Sequence, residues 1–393
     1  MGNLKVGAAK VNITPPLGCQ MAGYSGRDRG SETIADELYA KALVFDDGAS
    51  QAAIITNDLI GVESSFVERV RAIIEDETHI PAENVMISCS HTHFGPEVRA
   101  ARLGSSSDIY PDLLAQKLAT VTQLAQQGLQ PSRIGASTGV ADNVSYNRHT
   151  ILPNGKAKTS YIRPEPDSNL TFGPYDPTLR VLRVDNSAGD LTASLIHFAC
   201  HPVTTTDRMY TLSADYPGYA MDVVEKQEGG VCLFGLGCAG NIVPIQRQGK
   251  FPQLIGRTIG GEAVKVLQWM ETTDEFKLDV AHQKLSLTLR EAVNGKTTAE
   301  IDLQCITLQC GAADSIYFVG LPGEIFVEFG FDIVNRANCA NVFVMSMTNG
   351  SIGYIPIEIA YEQGGYESGS SRFRAGCGEQ VADAAVDLLN RMV

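Results

Sequence analysis

Two histidines two positions apart, His91 and His93, lie in the segment SCSHTHFGPE, directly after the apolar run VMI at positions 85–87. On a strand, positions i and i+2 project to the same face, so a strand continuing through Thr92 aims both imidazoles at one point. Neutral imidazole is a good ligand for zinc and similar divalent ions. The competing reading is a turn cap beside a satisfied polar residue at a strand end. A second segment, SLIHFACHPVTTT (residues 194–206), runs out to His201, and Pro202 then favours leaving the sheet. His197 sits between apolar neighbours and reads as a core or supporting histidine. Cys200 beside His201 is a poor thiol–base pair, because adjacent strand residues point oppositely. A third segment, GLPGEIFVEFG (320–330), ends a strand at Pro322-Gly323 and lets Glu324 open a helix. A carboxylate there either favours the positive helix N-terminus or completes a two-histidine, one-carboxylate set of the kind hydrolytic zinc enzymes use. Asp58 and Asp215 together with the histidines offer a two-metal phosphoester site as a rival, although Asp58 suits a turn or helix cap as well.

Alternating elements carry these segments. Strands are expected at 41–46, 51–57, 85–88, 191–199, 231–236, 299–310, 316–320 and 342–348. Helices are expected at 64–78, 112–126, 218–226, 256–270, 325–335 and 379–392; the first buries a stripe of Phe66, Val70, Ile73 and Ile74. This order predicts an α/β fold with a mixed, mostly parallel central sheet, helices on both faces, and a site in loops at the carboxyl ends of strands. Residues 143–177, rich in Pro, Asn and Gly, form a long excursion near the site rather than a linker, because periodic α/β sequence resumes after it. A single catalytic domain spanning 1–393 is the simplest count, with no internal repeat evident.

Composition narrows the function. A formal net charge of −14 over 393 residues opposes nucleic acid or anionic membrane as partner. No apolar run is long enough to span a bilayer. The nine cysteines are scattered and odd in number, with no C-x-x-C pair, which fits a reducing compartment and hence the cytoplasm. Removal of a leader before Met1-Gly2 would instead place the protein in the periplasm or outside the cell. No sequence feature specifies an oligomer.

The motifs THFGP after a histidine, ACHPV, SADYPGYA, LPGE and YIPIEIAYEQGGYE occur in this order, preceded by AKVNITPP and MAGYSGR. Together they resemble the catalytic domain of the neutral/alkaline non-lysosomal ceramidases, zinc-dependent amidases that split N-acyl-sphingosine. The likeness runs from about residue 6 to about residue 369. It implies that Zn2+ is held by His91, His201, Glu324 and Tyr354, the last of which residue chemistry alone would not select. It further implies that His93 stands beside the metal, and that Arg148 in YNRH and Tyr366 in GGYES surround the reacting carbonyl. The chain departs from the family where other members carry a Gly-Asp-Val-Ser-Pro stretch with a catalytic serine. Here the matching residues are Gly240, Asn241, Ile242, Val243 and Pro244. A methyl group neither attacks nor donates a proton. Many members also continue into a further β-rich domain beyond the point where this sequence stops. The expectation is therefore a zinc-dependent hydrolase of a C–N bond other than a peptide, or of an ester, acting by metal-bound hydroxide on a small-molecule substrate other than ceramide. A ceramidase-like N-acyl lipid amidase, and a degenerate protein that keeps the metal without turnover, are the alternatives.

Overall fold

The computed structural model describes residues 4–103, 109–165 and 169–393. Its larger sheet uses β1 (Lys5–Asn12), β2 (Tyr39–Asp46), β3 (Gln51–Asn57), β4 (Val85–Cys89), β5 (Gln130–Val140), β6 (Thr178–Asn186), β7 (Leu191–Phe198) and β8 (Val231–Leu236). They lie in the order β8-β7-β6-β5-β1-β2-β3-β4. A second sheet orders β9 (Lys277–Val293), β10 (Lys296–Gln309), β11 (Ile316–Gly320) and β12 (Val342–Met345) consecutively. The longer helices are α1 (Ser64–Thr78), α2 (Tyr110–Gln127), α3 (Asp215–Glu228), α4 (Phe251–Gln268), α5 (Val327–Arg336) and α6 (Cys377–Asn390). No helix among the described residues is long and apolar enough to cross a membrane.

The class is mixed α/β, but two features of the expected layout change. Only β3–β4 and β7–β8 pair in parallel in the larger sheet; its other ladders are antiparallel. The helices also do not clothe both faces of one sheet. Strand alternation separates two burial sets: Ala40, Ala42 and Val44 of β2 pack in the core that holds α1–α4, whereas Leu43 and Phe45 pack against Ile306, Phe318 and Phe343 of the second sheet. The far side of that second sheet, including Leu303, Tyr317 and Val344, buries against α5 and α6. The molecule is thus layered helix–sheet–sheet–helix, with Phe318 and Phe343 stacked 5.0 Å apart at its centre.

The element β9–β10 is a hairpin turned by Asn294-Gly295, both at positive φ (51° and 76°), a pairing suited to a two-residue turn. α1 ends where His79 adopts φ 61° and its N–H bonds Glu75 O. Its buried stripe is Val67, Val70, Ile74 and Thr78, with the expected Phe66 and Ile73 only partly covered.

Three stretches share one plan: an antiparallel strand pair, a helix, and a strand parallel to the second member. They are β2-β3-α1-β4, β6-β7-α3-β8 and β10-β11-α5-β12. The three parallel pairs bring the chain segments that follow their carboxyl ends to one edge of the sandwich. There the end of β4 is tied to the segment after β12 by a Ser88–Thr348 bridge and a bond from Cys89 N–H to Met347 O (3.1 Å).

Candidate metal centre and catalytic site

His91 and His93 follow β4, but not as a continued strand. β4 stops at Cys89 and His91 turns the chain at φ 67°, so the two rings meet through a turn, 5.0 Å apart and edge to face. His201 follows β7, its ring 4.9 Å from that of His91. One ring nitrogen from each of His91, His93 and His201 lies within 4.8 Å of the other two. Glu324 does not open a helix. It lies in a two-residue strand, Glu324–Ile325, paired in parallel with Tyr354–Ile355, and α5 starts only at Val327. That pairing sets Glu324 directly beside Tyr354, so the ribbon delivers both side chains together.

Backbone carbonyls orient all three imidazoles. Nδ1 of His91 bonds Ile60 O (2.6 Å), Nδ1 of His201 bonds Ala239 O (2.6 Å) and Ile242 O (3.1 Å), and Nδ1 of His93 bonds Gly23 O (3.1 Å). A carbonyl only accepts, so each Nδ1 carries the proton and each Nε2 of a neutral ring presents a lone pair inward. Burial lowers His201 to about 4 and His93 well below its usual range, which keeps both neutral near pH 7. Burial raises the Glu324 carboxyl, whereas a proton on the facing His91 or His201 would hold it well below the usual carboxylate range. One carboxylate oxygen, Oε2, stands 3.1 Å from Nε2 of His201 and 3.3 Å from Nε2 of His91. Lone pairs this close repel unless a cation lies between them. Tetrahedral ligands at about 2.0–2.1 Å from zinc are themselves about 3.3 Å apart. The donor set therefore fits a divalent ion, and anchoring of each Nδ1 is the usual support for a ligating histidine.

Arg148 is buried among these groups. Its Nε donates to Glu367 Oε1 (2.6 Å), and its Nη2 donates to Gly240 O (3.1 Å) and to the Tyr354 hydroxyl (3.1 Å). Burial would lower Arg148, but Tyr354 and Glu367 outweigh it and keep the cation charged. Tyr366 is 47% exposed, its ring 5.5 Å from that of Tyr354. The structure thus brings His91, His93, His201, Glu324, Tyr354, Arg148 and Tyr366 into one locality.

Other residues that position the site escaped the reading from sequence. Glu367 is fully buried as the partner of Arg148, although its neighbour Tyr366 drew notice. Gly240 accommodates the close passage of Glu324: a Cβ there would stand 2.5 Å from the Glu324 carbonyl. Gly23, at φ 103°, lies where a Cβ would meet His93 at 2.7 Å. Asn241 is a connector, accepting from Val327 N–H and donating to Glu328. Val243 is fully buried in a small apolar cluster with Tyr146 and Val203. His197 lies apart from the site, its Nε2 bonded to Val344 O across the two sheets. Asp215 accepts from the N–H and hydroxyl of both Thr204 and Thr205, and from Tyr216 N–H, which saturates its carboxylate. Asp58 accepts from Tyr39 N–H. Neither belongs to the histidine group, so the two-metal arrangement has no geometric support.

Comparisons with known proteins agree with this architecture. The family described as neutral/alkaline non-lysosomal ceramidase, N-terminal, matches residues 4–243. Neutral ceramidase of Pseudomonas aeruginosa is 24% identical over 257 residues, 61% of this chain and 37% of the relative. Neutral ceramidase of Mycobacterium tuberculosis is 26% identical over 244 residues, 58% of this chain and 36% of the relative. The matched part of this chain thus spans a little over a third of those relatives' length. The crystal structure of the Pseudomonas aeruginosa enzyme shares the fold over the whole of this chain and 75% of its own, with a TM-score of 0.81 at 19% identity. A ceramidase complexed with C2 superposes with a TM-score of 0.83 at 18% identity. By sequence profile, the chain belongs to the neutral/alkaline non-lysosomal ceramidase family.

Proposed function

We propose that the protein is a metal-dependent hydrolase of an amide or ester bond, ceramidase-like in its centre and acting on a substrate smaller and more polar than ceramide. The observation that carries this reading is the set of inward lone pairs: three Nε2 atoms fixed by carbonyl anchors, with a carboxylate oxygen 3.1–3.3 Å from two of them. His91, His201, Glu324 and Tyr354 would hold the ion, which we take to be Zn2+. When bound, zinc supplies a Lewis acid that lowers the pKa of water and polarises a carbonyl oxygen.

The chain's own groups divide the remaining work. His93 is neutral and its Nε2 has no hydrogen-bond partner, so that atom can take the proton of the attacking water and return it to the leaving nitrogen or oxygen. The Arg148 cation, through its N–H to Tyr354, offsets negative charge on the phenol oxygen and near the reacting carbonyl. Tyr366, half exposed and beside Tyr354, is placed to donate its hydroxyl to an entering substrate. Val243 supplies no hydroxyl, so water is the nucleophile.

The test is a panel of short and long N-acyl amides, acyl esters and phosphoesters, run with zinc-loaded and with chelated protein. Turnover of amides or esters that disappears on chelation and returns with zinc is the expected result. Turnover indifferent to chelation, or confined to phosphoesters, overturns the reading. The apolar setting of Val243 favours one rival, a metal-binding protein without turnover; stoichiometric zinc with a silent panel would establish it.

A further inference from the structure

Beside the metal ligands stand donors that the proposed mechanism leaves idle. Nε and Nη2 of Arg247 are buried without a hydrogen-bond partner, and so is the hydroxyl of Tyr24. The Tyr24 ring lies 5.3 Å from the ring of His93. The segment of Arg247 runs beside that of His201, with His201 N–H on Ile242 O (3.0 Å) and Gln248 N–H on Thr204 O (2.6 Å), and the charges of Arg247 and Arg148 repel. Arg148 is neutralised by Glu367, whereas no ion pair among the described residues includes Arg247.

A buried charged donor with no acceptor is costly, and native structures rarely keep one without a purpose. The two idle atoms are also particular. Nε–H and Nη2–H form the side edge of the guanidinium, whose two parallel bonds match the two oxygens of a carboxylate. Resting on the hydrolase reading above, we propose that Arg247, assisted by the Tyr24 hydroxyl, anchors a carboxylate carried by the substrate close to the scissile bond. The substrate class is then an N-acyl amino acid or a similar acylated acid, rather than an uncharged sphingoid amide. An anion at this place also relieves the repulsion between Arg247 and Arg148.

The experiment compares N-butanoylglycine, N-butanoylethanolamine and N-butanoyl-O-phosphoethanolamine on zinc-loaded wild type, Arg247→Gln and Arg247→Lys. The wild type is expected to favour the glycine amide over the ethanolamine amide by at least tenfold in kcat/KM. Arg247→Gln should reduce that ratio at least tenfold, mainly through KM, and Arg247→Lys should restore only part of it, because an ammonium lacks the fork. Equal use of the charged and neutral amides, or a ratio unmoved by Arg247→Gln, overturns the proposal while the hydrolase reading stands. Stronger Arg247-dependent selection for the phosphate overturns the carboxylate assignment. Calorimetric binding of N-butanoylglycine to wild type and to the same variants separates the two readings. Arg247-dependent binding with a silent panel leaves the carboxylate anchor standing and removes the hydrolase. Should Arg247→Gln not fold, competitive inhibition of the wild type by butanoylglycine but not by butanoylethanolamine supports the anchor, and equal inhibition overturns it.

Discussion

At the scale of residues, the three imidazoles have similar anchors but different expected duties. His91 and His201 face the Glu324 carboxylate at 3.3 and 3.1 Å, whereas no ion pair among the described residues includes His93. Substituting a ligand and substituting a proton carrier should therefore read differently. His201→Ala is expected to lose bound zinc and turnover together. His93→Ala should keep near-stoichiometric zinc and lose turnover by about 10²–10⁴-fold, the usual contribution of acid–base catalysis. Metal analysis of the purified variants beside their kinetics decides it; loss of zinc from His93→Ala would make His93 a ligand. The histidine pair was legible in the sequence by residue type and spacing. The turn that joins the two rings was not, because a strand ending at Cys89 and one running on to Thr92 share the same apolar start.

At the scale of elements, His197 tests how the sheets are held together. It sits on β7 and donates to Val344 O on β12, so it bonds the larger sheet to the second one. Burial, reinforced by Arg180 and opposed by Asp176, lowers its pKa to about 4. The folded pKa lies below the unfolded value near 6.5, so its contribution is complete above pH 6.5 and lost as pH falls toward 4. The carboxyls of half-buried Asp36 and buried Asp58 are raised by desolvation, to about 7 and about 6, and titrate with the opposite sign, so a bare acid titration would mix the effects. The clean measurement is the difference in unfolding free energy between wild type and His197→Gln. It should shrink by about 3 kcal/mol between pH 7 and pH 4; a difference independent of pH would show that His197 is not held neutral by the fold. The sequence marked α1, β3, β8 and β11 at their observed bounds, because each has a strong apolar pattern flanked by turn residues. It did not reveal β1, β5, β6 or β9. The exposed positions of β9 and the polar stretches of β5 blur the alternation on which such a reading depends.

At the scale of the whole molecule, the proposed ligands come from both sheets: His91 and His201 follow strands of the larger one, and Glu324 and Tyr354 follow strands of the second. An ion bound by all four ties the two sheets, and binding to the folded state alone adds stability. Zinc at a hundred times its Kd should add about 2.7 kcal/mol. The check is thermal melting with zinc and with chelator, where zinc is expected to raise the midpoint of the wild type and leave that of His91→Ala unmoved. An equal rise in both would place the stabilising ion elsewhere.

Sequence by itself determined the mixed α/β class, the histidine and carboxylate segments, and, through motif order, the family. Those properties are local: alternation, helical spacing and short motifs are written in neighbouring residues. Only the tertiary structure decided that the second cover of the central sheet is another sheet. A strand buried on both faces reads as one apolar run whether a helix or a sheet lies across it. The tertiary structure alone also placed Glu324 against Tyr354, Arg148 against Glu367, and Arg247 without an acceptor. Those relations join residues 30 to more than 200 positions apart, and nothing local records which of them the closing of the layers brings together.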